Sequence, residues 1–172
     1  MFKLRRRSYR FFVIAHVASS VAWLGLSLCL LVLGVRAVTT ADPRVQFAAG
    51  SAMDALASAL AVPLGAVALV TGVVLMLGTR WGPSYKWVLV KLVATVAAYA
   101  ATVLALRPGL AATAAVLDPA RLQVLDDQSV AGPVVSSVVY LGATVLSYVK
   151  PWGRVGGRGA PARGRVPARS AR

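Results

Sequence analysis

Glutamate is missing from this chain altogether, cysteine and histidine occur once each, and charged residues make up only 14% of its 172 positions. Each shortage removes a class of function. With Cys29 alone, neither a disulfide framework nor a cysteine metal cluster can form within one chain. With His16 alone, a bis-histidine haem and a histidine-rich copper or zinc site are excluded, and Cys29, Met53 and Met76 are too dispersed for a soft-metal motif. Paired carboxylates, a phosphate-binding loop and a nucleophile triad are also missing. The shortage of charge bears on the solvent. Soluble domains carry about 25% charged residues, and a chain with half that share has no surface to offer water.

What the chain does have is apolar residues, 58% of the total with a mean hydropathy of +0.72, and they are gathered into blocks. The blocks run from Phe11 to Val35, Ala52 to Leu77, Trp87 to Leu106 and Val130 to Val149. At 1.5 Å per residue each is roughly 30 Å long or more, enough to cross a hydrocarbon core of about 30 Å. A lone strand hairpin would leave backbone groups unpaired in lipid, so these segments read as helices. The expected fold is all-α, an integral membrane four-helix bundle over residues 11–149, with helices at 11–35, 52–77, 87–106 and 130–149. A basic segment, 1–10, precedes it and a basic tail, 150–172, follows. Turn chemistry at Thr39 to Pro43, Gly78 to Ser84 and Arg107-Pro108-Gly109 marks the expected helix ends.

The formal net charge of +14 would suggest nucleic acid in a soluble chain. Here the placement favours topology instead. Fourteen Lys and Arg fall in the two terminal segments and the 78–86 loop, against four in the other two loops, which also hold Asp42, Asp118, Asp126 and Asp127. By the positive-inside rule this places both termini in the cytoplasm and the protein in the cell membrane as a multi-pass chain. The first apolar run is longer than the 7–15 residues or so of a signal peptide, so it reads as a retained helix. Phe11, Phe12, Trp81, Tyr85, Trp87, Tyr148 and Trp152 are expected at the cytoplasmic boundary as half of an aromatic belt. The arginine-rich tail lacks the apolar residues to fold; it reads as disordered, an anchor able to bind anionic lipids. No aromatics interleave its arginines, which disfavours nucleic acid. The partners this pattern admits are the lipid bilayer, other membrane proteins and a second copy of the chain.

Ionisable groups inside membrane helices are costly and point to function. There are three: His16, Asp54 and Lys91. In the four-helix topology His16 and Lys91 lie at one level near the cytoplasmic face, whereas Asp54 falls at the outer end of the second helix, about 30 Å away. Helical phase gives each helix one small or polar stripe: His16, Ser20, Trp23 and Ser27; Asp54, Ser58, Gly65 and Gly72; Lys91, Thr95 and Thr102, with Tyr99 on the margin; Pro133, Ser137, Tyr140, Thr144 and Ser147. Such stripes serve as packing and hydrogen-bonding seams. For Lys91 snorkelling competes with a binding role, and for His16 an interhelical hydrogen bond competes with ligation. The functional alternatives are a cofactor pocket, with neutral His16 as axial ligand to a haem iron and Lys91 or a nearby arginine meeting an anionic group, or a proton relay through His16.

His16 followed by Trp23-Leu24-Gly25, the run Leu77 to Gly82, Trp87 to Leu92, and Leu146 to Gly153 together resemble an uncharacterised family of small four-helix bacterial membrane proteins, a domain of unknown function. The likeness covers about residues 10–153 and carries no activity with it. A remoter resemblance is to copper-resistance type membrane domains and membrane protoporphyrinogen oxidases, which also place a His before a Trp and Gly in an early helix. In the oxidases a later lysine is functional, and by motif that role falls on Lys91. Val17 stands after His16 where those enzymes have an arginine, and Leu26 to Leu33 replaces their polar segment. The expectation is therefore a non-enzymatic accessory or partner-binding subunit with an intramembrane His16 and Lys91 site. The competing expectation is a haem- or porphyrin-handling protein.

Overall fold

A computed structural model describes residues 5–79, 84–125 and 128–151. Among these residues there are four long helices and no strand: α1 (Arg6–Thr39), α2 (Pro43–Gly78), α3 (Lys86–Val116) and α4 (Gln128–Val149). All four are long and apolar enough to cross a membrane, and the chain is an all-α integral membrane protein. Arg80, Trp81, Asp126, Asp127, Trp152 and the tail from 152 lie outside the described residues, and with them the expectations for tail disorder and lipid binding.

The helices form a ring in chain order. α1 packs along α2 and α4, and α3 packs against α4 and both halves of α2. α1 extends past the expected 11–35 at both ends, and two boundaries differ more. α2 begins at Pro43, nine residues before the apolar block, because Asp42 caps it: its carboxylate accepts from the Arg44 N–H at 2.9 Å, and Pro43 stands at the first position, where a missing N–H costs nothing. Asp54 consequently sits three turns inside the helix rather than at its dipole end. α3, for its part, does not stop at Arg107-Pro108-Gly109 but runs to Val116.

Proline explains that continuation. A proline inside an α-helix removes one i→i−4 donor and pushes against the preceding turn. Just before Pro63 and Pro108 the helices widen into one π turn, Ala57–Ala61 and Thr102–Leu106, and Arg107 N–H reaches back to Thr102 O. The wider turn absorbs the register change and lets both helices continue. Pro133 in α4 has no such turn; it removes the N–H that would serve the Ser129 carbonyl. That carbonyl rests against Gly34 of α1, where a methyl group would come within 2.9 Å of it.

Near the start of α2, buried Gln46 holds the end of the bundle that carries Arg36 and Arg44. Its amide donates to Ala37 O at 3.2 Å and Gln123 O at 2.9 Å, and its carbonyl accepts from Gln123 N–H at 2.8 Å. Leu117 seats against Gly50 beside this clamp.

The core centre draws one residue from each helix. Trp23 of α1 stacks on Tyr140 of α4 at a centroid distance of 4.3 Å and meets Tyr99 of α3 edge-on at 6.1 Å. Gly65 of α2 is the floor on which Trp23 and Tyr99 rest. Leu26, Leu30, Met53, Ala57 and Ala61 extend this core toward the Gln46 end. Of the predicted stripes, Trp23, Ser27, Gly65, Thr102, Pro133, Ser137 and Tyr140 are buried, while Ser58 and Thr144 are exposed.

Candidate functional site

On the other side of the aromatic layer, toward the end that carries Arg10, Lys86 and Lys150, the helices part. A partly open cavity of about 360 Å³ lies between α1, α2, α3 and α4. His16 and Lys91 both line it, so the two residues that helical depth places at one level do share a space. The volume falls in the range of small-molecule sites, roughly 300–1,000 Å³.

His16 is held from α2. Its Nδ1 lies 2.9 Å from Ala68 O and 3.2 Å from Thr71 Oγ1. A backbone carbonyl only accepts, so Nδ1 carries a proton. The Thr71 hydroxyl sends its own proton to Val67 O at 2.6 Å or to Ala68 O at 3.2 Å, leaving its lone pair for the same Nδ1–H. In the neutral ring Nε2 is then a bare acceptor. The imidazole lies over Gly72, where a methyl group would come within 3.0 Å of its Cε1. Only a residue without a side chain leaves the ring this close to the α2 backbone.

Lys91 is held from α4. Its ammonium donates to Ser147 Oγ at 2.6 Å, and Ser147 donates onward to Ala143 O at 2.8 Å. One of three N–H donors is thereby used. Among the described residues no carboxylate pairs with Lys91. Asp54 is some fourteen residues up α2 from Ala68, about 21 Å, and there accepts from Ser58 Oγ at 3.4 Å.

The remaining wall is mostly apolar and aromatic, with Val13, Leu69, Met76, Val88, Leu92, Tyr9 and Trp87, and it includes Thr79 and Thr95. Trp87, expected in a lipid-facing belt, is buried in this wall instead, whereas Phe11 and Tyr148 are exposed as a belt requires. Thr71 is the polar partner that sequence reasoning missed; a lone hydroxyl in an apolar block carries no signal of its own. Ser147 and Gly72 were on the predicted stripes without a stated role. Among the described residues no three His, Cys, Asp or Glu stand close enough to hold a metal ion together.

No known protein family, curated protein or solved structure matches this chain. Its function is therefore read from the cleft alone. The cleft combines the His16 acceptor, the Lys91 cation with spare donors and a mostly apolar wall that also includes Thr79 and Thr95, an arrangement suited to binding.

Proposed function

We propose that this chain is a non-enzymatic, membrane-embedded binding protein, an accessory or partner-binding subunit whose ligand is an amphipathic molecule seated between His16 and Lys91. The single observation that carries the reading is Lys91 itself: a cation anchored to Ser147 in an apolar cleft, with no carboxylate partner among the described residues. An unpaired ammonium in such surroundings is costly, and a ligand head that accepts from it offsets that cost. The apolar wall suits an acyl or prenyl tail.

In this reading both termini and the mouth of the cleft face the cytoplasm, since fourteen basic residues flank the helices on that side and four on the other. Reporter domains fused at either terminus are expected to read inside; an external signal would put the cleft in the outer leaflet and overturn the orientation.

The binding test uses dibrominated oleate, whose bromines quench nearby tryptophan. With Trp87 in the cleft wall, quenching in detergent-solubilised protein should saturate, and Lys91→Met should weaken binding tenfold or more, because a charged hydrogen bond is worth about 1.5–3 kcal/mol. Equal quenching in wild type and Lys91→Met would sink the proposal.

A second reading, haem handling, draws on the tautomer of His16. A ring whose Nδ1–H is fixed on a backbone carbonyl offers Nε2 to a metal, as haem-ligating histidines do. His16 would hold the iron and Lys91 would face a propionate. A Soret band in protein supplemented with haem, abolished by His16→Ala, would favour this reading over the first.

A further inference from the structure

The hydrogen bonds around His16 and Lys91 restrict the ligand beyond its being amphipathic, given that the cleft is a ligand site at all. Lys91 can only donate. Neutral His16, its Nδ1–H committed to Ala68 O, can only accept at Nε2. One cleft therefore offers a donor and an acceptor together. An ionised carboxylate or phosphate answers Lys91 but turns lone pairs toward Nε2. An ether or ketone does the same. A hydroxyl group answers both, because it accepts from the ammonium while donating to the imidazole.

The walls favour an aromatic bearer of that hydroxyl. Tyr9 and Trp87 line the cleft, and the bare backbone at Gly72 lets the imidazole lie close against α2. Planar rings gain from offset or edge contacts with such neighbours. Leu69, Met76, Val88 and Leu92 supply the surface for a tail.

We propose that the cleft binds a hydroxyaryl head, a phenol or hydroquinone carrying an apolar tail, and discriminates against the matching quinone and the matching ether. The selection depends on His16 Nε2 accepting the hydroxyl proton. Losing that one donor leaves the acceptor unpaired in an apolar site and lowers affinity about tenfold or more.

The test uses the full chain in lipid nanodiscs under reducing, anaerobic conditions. Decyl-hydroquinone, its dimethyl ether and, without reductant, decyl-benzoquinone each compete against dibrominated oleate. The hydroquinone should displace the oleate at about one tenth the concentration that the other two need. His16→Ala should abolish that preference, and Lys91→Met should weaken all three compounds. Equal competition by the dimethyl ether and the hydroquinone in the wild type overturns the proposal without recourse to any variant, as does a preference that survives in His16→Ala. If oleate binds in a Lys91-dependent way but no preference is found, the hydroxyaryl assignment fails and the binding-protein reading stands. If neither oleate nor the hydroquinone binds, both fail.

Discussion

Gly65→Leu should prevent the bundle from assembling. A methyl group at this position would stand 2.6 Å from Tyr99 Cδ2 and 2.7 Å and 2.9 Å from Trp23 Cζ2 and Cη2. Flexible side chains can retreat from such a clash, but these are rings locked on one another. Trp23 is stacked on Tyr140 and edged by Tyr99, and Trp23 and Tyr140 are buried. Relief would require α2 to move away from α1 and α3 together. Overpacking costs about 1–3 kcal/mol where a core can shift and more where it cannot; here the upper end or beyond is expected. In detergent the variant should elute as aggregate or unfold far below the wild type. Gly25→Leu and Gly142→Leu are the controls, since a methyl group at either meets nothing within 4 Å, and both should unfold close to the wild-type temperature. A stable, monodisperse Gly65→Leu protein would remove the aromatic layer from its place as the core of the fold.

That layer also marks where the sequence is informative and where it is not. The four membrane helices are legible in the apolar blocks, because lipid leaves the backbone one solution per block. The pairing of His16 with Lys91 is legible as well, since a rise of 1.5 Å per residue turns position in the chain into depth. Helix ends are harder. Arg44, Gln46 and Gly50 read as loop, yet Gln46 is buried and serves a clamp onto Ala37 and Gln123, a contact across 77 residues that no local pattern contains. Arg107-Pro108-Gly109 reads as a stop, yet a π turn one step earlier absorbs the proline. Within the site, the ring position of His16 depends on the Ala68 carbonyl and Thr71, and backbone acceptors leave no trace in residue identity. Trp87 is misread for a related reason: a tryptophan at a helix start is equally suited to headgroups and to a cleft wall, and only the packing of the helices around it decides.

Gly72→Leu, two turns along the same face of α2, should have the opposite outcome to Gly65→Leu: an intact fold and an empty site. A methyl group at Gly72 would stand 3.0 Å from His16 Cε1 and 3.4 Å from its Nδ1. The imidazole cannot simply withdraw, because Nδ1–H is tied to Ala68 O one turn away on the same helix. Either the leucine displaces the ring and breaks that bond, or it extends into the cavity and occupies the ligand's place. The cavity of about 360 Å³ has room for the added side chain, so the bundle need not open, and the melting temperature should change by only a few degrees. Binding of dibrominated oleate should fall by about a hundredfold or more, beyond the loss from Lys91→Met, because the leucine excludes the ligand rather than removing one of its hydrogen bonds. Gly72→Ala should fall between, since a few tenths of an ångström of movement by the ring accommodates a methyl group. A Gly72→Leu protein that folds and still binds at wild-type affinity would show that the ligand sits elsewhere, and His16 would then be a histidine that ties α1 to α2 and nothing more.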